Sequence, residues 1–144
     1  MHWQRQFLHP MLKAFDAPRR EECTAQRSRS NTPIAALVLL NDPTFVESTR
    51  VLAEKIRTLE PDINQAVAKA FLMSLSRPPD QIEAKALVEL YKANLGKYNA
   101  EPAAAAQLLS VGLSPSPHIN QPEIAALTQV IRVIFNLDEF VSRR

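Results

Sequence analysis

The residues best suited to chemistry are a set of arginines, carboxylates, amides and one hydroxyl near the ends of apolar stretches: Arg27, Arg29, Thr32, Asn41, Asp42, Asn136, Asp138 and Glu139. We call this set the candidate polar cluster. Carboxylate and amide oxygens together could bind a hard cation such as calcium. Arginines beside them could instead hold a carboxylate or phosphate group of a ligand. The leading interpretation is structural: these side chains cap helices and pair arginines with carboxylates.

Other residues with chemical potential are isolated in the sequence. His2, His9 and His118 lack a ligand spacing such as i, i+4, so the pattern does not predict a zinc site. Cys23 is the single cysteine, which excludes an intrachain disulfide, and no orienting group accompanies it as a nucleophile. The two glycines form no phosphate-binding loop. We therefore predict no metal, no bound cofactor and no assignable catalytic residue in this chain.

The net charge of +2 is small but unevenly distributed. Residues 1–32 hold six Lys/Arg against three Asp/Glu, whereas the rest of the chain holds eleven against twelve. A basic first quarter could contact nucleic acid or acidic lipid, but we favour pairing with the chain's own carboxylates and predict no nucleic-acid partner. The longest apolar run, residues 34–40, is too short to span a bilayer.

The composition indicates helices, since two glycines leave few positions for tight hairpins and eleven prolines mostly stand where helices would begin. Thr32-Pro33 predicts a helix start with threonine as N-cap. The seven residues that follow, I-A-A-L-V-L-L, are apolar on every face, so we expect a core helix surrounded by others. Asn41-Asp42-Pro43 ends that helix and begins the next one, with Asp42 as its predicted N-cap and Pro43 as its first residue.

Further helices follow from apolar residues at helical spacing. The helix that begins at Pro43 has apolar residues at this spacing from Phe45 to Leu59, and its charged residues lie mostly on other faces: Glu47, Arg50, Glu54 and Lys55. The next opens at Pro61, and Asp80 with Glu83 predicts a capping box for another. Residues 102–109 are a short helix, 112–117 a loop, and a long final helix runs from Pro122 to Val141. We predict an all-α fold: a compact bundle of five or six helices over residues 33–144, with an irregular basic arm, residues 1–32, packed on it.

Three blocks of sequence resemble a known family. Residues 15–47 read F-D-A-P-R-R-E-E-C-T-A-Q-R-S-R-S-N-T-P-I-A-A-L-V-L-L-N-D-P-T-F-V-E, and they resemble the start of the bacterial domain of unknown function fifteen fifty-three, which is abundant in planctomycetes. The blocks S-R-P-P-D-Q-I-E (76–83) and V-I-F-N-L-D-E-F-V (133–141) are similar to the same family in the same order, so the resemblance extends over essentially the whole chain. The departures are Gln26, Ala36 and Gln121, where the family tends to have Arg, Gln and Asp.

The resemblance implies a context rather than an activity. In this family the domain usually closes a long exported protein and often follows a cytochrome-c-like heme domain. This chain would then be a C-terminal fragment of a periplasmic or cell-surface protein, with that protein's upstream domains as partners. Any heme would lie in the upstream domain, so no heme site transfers to these residues. The family supplies no catalytic residue.

Two functions remain open on the sequence. The leading hypothesis is a structural or interaction module without catalytic activity. The alternative is a contribution to an enzyme of polymer breakdown or redox chemistry, with a cation or substrate near Asp42 and Asp138.

Overall fold

Every regular secondary-structure element in the described part of the chain is a helix. The computed structural model describes residues 8–18, 25, 32–117 and 120–141, which contain eight helices and no strand. The all-α prediction is confirmed. The helices are α1 Pro10–Ala14, α2 Pro33–Asn41, α3 Pro43–Leu59, α4 Ile63–Leu75, α5 Gln81–Ala100, α6 Pro102–Leu109, α7 Gln121–Phe135 and α8 Asp138–Val141. Six of these have eight or more residues, while α1 and α8 are single turns. Among the described helices, none has the length and apolar character needed to cross a membrane.

Helices α2 and α3 begin as their sequence predicts. The Thr32 hydroxyl accepts a hydrogen bond from the Ala35 N–H at 3.2 Å, and the Asp42 carboxylate accepts one from the Thr44 N–H at 2.9 Å. A proline occupies the first position of each helix, where its missing N–H leaves no hydrogen bond unmade. Both predicted N-caps are therefore confirmed.

The centre of the core is α7. It packs against α3, α4, α5 and α6, and its buried residues are Ile124, Ala125, Ala126, Leu127, Thr128, Val130, Ile131 and Ile134. The helices around it contribute large apolar side chains such as Ile56, Phe71 and Leu109, all almost completely buried. Apolar burial on this scale is the main source of a small domain's stability.

The prediction that residues 34–40 form a surrounded core helix is wrong. Helix α2 lies at the edge of the bundle, with Ala35 and Leu39 buried against its neighbours. Ile34 is 63% exposed and Leu37 is 57% exposed. The core space is filled by α7 and the helices that pack on it, so α2 buries only one face although its residues are apolar all round.

Two predicted boundaries also need correction. Helix α4 begins at Ile63 rather than Pro61, because Asp62 is its N-cap and accepts from the Gln65 N–H at 3.2 Å. The final helix ends at Phe135, and α8 is a separate turn. Asn136 leaves the helical conformation, which lets Phe140 fold back onto the Phe135 ring with a centroid separation of 4.2 Å.

The predicted arm is described only in part. Within it, residues 10–14 form the short helix α1, which packs against α2. Just after it, the Phe15 ring lies 6.2 Å from the Phe45 ring of α3. Residues 1–7, 19–24 and 26–31 lie outside the described residues, so the boundaries of the arm stay a prediction.

Candidate functional site

Three members of the candidate polar cluster delimit α2. Thr32 and Asp42 serve as N-caps of α2 and α3, and Asn41 is the exposed last residue of α2. The carbonyl of Leu40, next to Asn41, accepts a hydrogen bond from the Arg132 guanidinium of α7. The end of α2 is thereby attached to the last turn of α7.

The other described members follow α7. Asn136 is the residue at which α7 ends, while Asp138 and Glu139 stand in the first turn of α8, where the helix dipole favours negative charge. Arg27 and Arg29 lie outside the described residues, so their predicted pairing with carboxylates stays a prediction. Within the described part of the chain, no group of three or more His, Cys, Asp or Glu residues could hold a metal ion.

Glu139 belongs to an ion-pair network centred on Arg77, which lies just after α4. The Arg77 guanidinium donates to both Glu139 carboxylate oxygens, at 2.8 and 2.7 Å, and to both Glu83 oxygens, at 2.9 and 2.8 Å. It also lies over the Phe71 ring, 4.8 Å from the centroid. One guanidinium therefore joins the end of α4, the start of α5 and α8.

The same network includes the predicted capping box of α5. The Glu83 N–H donates to Asp80 at 2.7 Å, and the Asp80 N–H donates back to Glu83 at 2.8 Å, which confirms the prediction. The hydrogen bonds from Arg77, followed by the one from the Asp80 N–H, lower the pKa of Glu83 to about 2. The two carboxylates in turn raise the pKa of Arg77. This arrangement is a charged cross-link between helix ends.

A second polar assembly fixes the loop between α6 and α7. Arg50 of α3 is fully buried and donates to the carbonyls of Ser114 and Pro115, at 3.0 and 2.9 Å, and to Glu54 at 2.6 Å. The sequence pattern placed the charged residues of this helix mostly on faces other than the apolar one, and it did not predict the burial of Arg50. Its burial is compatible with the charge because Glu54 and the two carbonyls replace water.

Glu47, one turn before Arg50, holds the other side of that loop. Its carboxylate accepts from the Leu113 and Ser114 N–H groups at 3.0 and 2.6 Å. Hydrogen bonding by Ser114 and then by Leu113 lowers the pKa of Glu47. A side chain at Gly112 would collide with this carboxylate, and the φ of +107° at that position also favours glycine. The backbone of this loop is thus held through its carbonyls by Arg50 and through its N–H groups by Glu47.

A third arginine joins the opposite ends of α3 and α7. Arg57 donates to the Glu123 carboxylate at 2.6 Å and to the Pro61 carbonyl at 2.7 Å. Together, Arg50, Arg57 and Arg77 connect elements that are far apart in sequence. Sequence reasoning identified none of these long-range partners, since the spacing within one helix carries no information about a residue sixty positions away.

The isolated residues named from the sequence do not assemble into a site among the described residues. The Nδ1 atom of His9 accepts a hydrogen bond from the Met11 N–H at 3.3 Å and so caps α1. His2, His118 and Cys23 lie outside the described residues.

Helix α2 has one exposed face on which two apolar side chains, Ile34 and Leu37, are followed by the amide of Asn41. These residues lie on the same face because residues three and four apart are neighbours on a helix. We call these three residues the α2 stripe.

Fold and site together define a helical domain whose charged residues cross-link helix ends around an apolar core. Residues 1–91 match a family model described as PSD1: Protein of unknown function (DUF1553). The matched residues are more than half of the 144, and the chain belongs to this family. The match includes the blocks at 15–47 and 76–83 and ends before the block at 133–141, so it is shorter than the resemblance predicted from the sequence.

Comparison with curated proteins and with solved structures finds no match to this chain.

Proposed function

We propose that this chain is a structural and interaction module at the C-terminal end of a larger exported bacterial protein, and that it attaches to polypeptide preceding it. The preceding part would include a cytochrome-c-like heme domain, as the resemblance to planctomycete proteins implies. The heme would belong to that domain and not to the residues described above. The module itself performs no catalysis under this proposal.

The α2 stripe is the observation that carries the proposal. Ile34 and Leu37 expose more than half of their side-chain surface, although the opposite face of α2 is firmly packed. Neighbouring apolar side chains on one face of a helix are a common docking surface for another protein segment. The stripe lies on α2, the helix against which α1 packs.

The ion-pair network and the loop assembly support the same role. Arg50, Arg57 and Arg77 fix the relative positions of helices that surround α7. Helix α2 is joined to this framework through the bond from Arg132 of α7 to the Leu40 carbonyl. A surface held in this way is preorganised, because little conformational freedom remains to be lost when a partner binds. The charged residues of this domain therefore stabilise a surface, in keeping with a module that binds rather than reacts.

Hydrogen exchange can test the proposal. The exchange of α2 amides would be measured in this chain alone and in the same chain extended by the upstream residues of its own reading frame. We expect slower exchange in the extended protein, and we expect the difference to disappear when Ile34 and Leu37 are both changed to Gln. Equal exchange in the two proteins would overturn attachment through this face. An upstream frame encoding no signal peptide and no C-x-x-C-H sequence would overturn the exported, heme-linked context.

A further inference from the structure

We infer that residues 112–115, the tip of the loop between α6 and α7, form an acid-sensitive switch. The tip is attached to α3 while the Glu47 carboxylate is ionised, and it detaches from α3 when that carboxylate is protonated. The rest of the bundle keeps its fold in both states. The inference goes beyond the proposed function, because it concerns a conformational change and not the partner of the domain.

The tip of the loop and its base are held by separate contacts. At the base, the Ser116 hydroxyl donates to the Leu109 carbonyl at 2.9 Å, which joins the last residue of α6 to the residue that follows the tip. The tip itself is bonded to two side chains of α3, Glu47 and Arg50. The tip can therefore leave α3 while the base stays closed.

Detachment of the tip uncovers no apolar core. Gly112, Leu113, Ser114 and Pro115 are all exposed, and Leu113 is 99% exposed. None of the four belongs to the cluster of buried apolar residues. The attachment therefore depends on hydrogen bonds and charge. Local opening of such a segment requires less free energy than unfolding of the whole domain.

The strength of the attachment depends on the charge of Glu47. Its carboxylate accepts from the Leu113 and Ser114 N–H groups at 3.0 and 2.6 Å. A hydrogen bond to an ionised group is roughly twice as strong as one between neutral groups. Protonation of a single carboxylate therefore weakens both bonds to the tip at once.

The other charged groups around Glu47 do not replace it in acid. The Arg50 guanidinium lies 4.0 Å from the Glu47 carboxylate and keeps its charge below about pH 12. Glu54 binds that guanidinium at 2.6 Å and has no hydrogen bond to the tip. Residues 110–117 contain no ionisable side chain. Among the described residues, Glu47 is therefore the group bonded to the tip whose charge changes in acid.

The direction of the pH dependence follows from the same contacts. Hydrogen bonding by Ser114 and then by Leu113, with a smaller contribution from the charge of Arg50, lowers the pKa of Glu47 below its ordinary value of 4.5. A carboxyl group with a lowered pKa maintains an attachment above that ordinary value and loses it as the pH falls through the lowered one. The tip is therefore attached at neutral pH and detaches below pH 4.5.

Gly112 provides a second route to the detached state, without acid. Its φ is +107°, and a Cβ atom at this position would collide with the Glu47 carboxylate. Gly112→Ala should therefore displace the tip at neutral pH, because an alanine side chain and the carboxylate cannot occupy the same space.

The exchange of the Leu113 and Ser114 amides with water, measured by NMR in the full chain from pH 7 to pH 2, tests the inference. Rates would be expressed as protection factors, which correct for the intrinsic effect of pH on exchange. Glu47→Gln at pH 7 has the shape of the protonated side chain, and Gly112→Ala is the second variant. The matched control is Glu89→Gln at an exposed site on α5. Protection of the α7 amides and circular dichroism report on the bundle.

We expect the protection of both tip amides to fall by about tenfold or more in acid, the loss expected when a hydrogen bond to a charged group is removed. Glu47→Gln and Gly112→Ala should show the same low protection at pH 7, and Glu89→Gln should keep the native value. The α7 amides should stay protected throughout. Unchanged protection of the tip in acid would overturn the inference, as would native protection in either tip variant. A parallel loss in α7 would also overturn it, because the whole bundle would then be opening.

Discussion

Helices α2 and α7 are both predominantly apolar, but they are held in the bundle in different ways. Helix α7 is surrounded by α3, α4, α5 and α6 and buries eight of its fifteen residues. Helix α2 buries Ala35 and Leu39 and leaves Ile34 and Leu37 exposed. The longer uninterrupted apolar run thus belongs to the peripheral helix, while the central helix includes polar residues such as Gln129 and Arg132.

The difference shows that apolar content and central position are separate properties. Helix α7 is central because its apolar residues meet apolar faces from several directions, which is a property of the whole bundle. Helix α2 contacts its neighbours on one side only, and its polar contacts lie at its two ends. Thr32 caps its start, Asp42 follows its last residue and caps α3, and Arg132 donates a hydrogen bond to the Leu40 carbonyl. We therefore expect the two helices to respond differently to substitution.

The largest contrast should come from matched truncations of leucine. Leu127→Ala in α7 should lower the free energy of unfolding by about 3 kcal/mol, because it removes buried contacts and leaves a cavity. Leu37→Ala in α2 should cost less than about 1 kcal/mol, since most of that side chain is exposed. Urea unfolding of both variants provides the measurement. Equal losses would show that α2 is buried as deeply as α7.

A smaller effect is expected from the connection between the two helices. Arg132→Met removes the hydrogen bonds to the Leu40 carbonyl and to Gln129, which should cost about 1–2 kcal/mol. Hydrogen exchange should accelerate in α2 more than in α7, because only α2 loses an attachment at its end. Lys55→Met, at an exposed position of α3, is the control and should leave exchange in both helices unchanged. Uniform acceleration in both helices would contradict a local role for Arg132.

The N-cap of α2 should contribute less again. Thr32→Ala should lower the free energy of unfolding by about 1 kcal/mol, because the Ala35 N–H loses its acceptor at the start of the helix. Thr32→Ser keeps the hydroxyl and should retain most of that stability. Equal destabilisation by serine and alanine in thermal melts would contradict this prediction. It would show that the threonine methyl group, which both variants lack, provides the stability instead of the capping hydroxyl.

The smallest effect is expected from the ion-pair network around Arg77, because solvent screens its charges. The pKa of Glu83 is lowered from 4.5 to about 2 in the folded protein. A carboxylate with a lowered pKa contributes stability above its unfolded value, and this contribution is lost as the pH falls from about 4.5 to about 2. The free energy of unfolding should therefore decline over that range, and less steeply in Glu83→Gln. Glu89→Gln, at an exposed site on α5, should keep the native slope.

The local features of the fold could be predicted from the sequence, and the long-range ones could not. The N-caps at Thr32 and Asp42 and the Asp80–Glu83 capping box depend on residues three positions apart or fewer, so the pattern contains all the necessary information. The end of α7 was missed because Asn136 alone does not show that Phe140 will stack on Phe135. The resemblance to a family of unknown function was also correct, over a shorter stretch than expected.

The candidate polar cluster illustrates the same limit. Glu139 pairs with Arg77, which is sixty-two positions away and was not named from the sequence. Arg50 was grouped with the charged residues that lie mostly outside the apolar face of the helix, yet it is buried against the loop at Ser114 and Pro115. Such pairings follow from the way helices pack and become visible only when the bundle is assembled.

The position of α7 also determines how much of this chain is needed for a polypeptide that folds on its own. The family model matches residues 1–91 and stops within α5. Yet Ile56, Val67 and Phe71, all inside that stretch, belong to one core with Leu127, Val130 and Ile131 of α7. A polypeptide ending at residue 91 would leave those side chains facing water. The family match therefore ends forty-four residues before Phe135, the last residue of the helix on which the others are built, and a cooperatively folding unit has to include that helix.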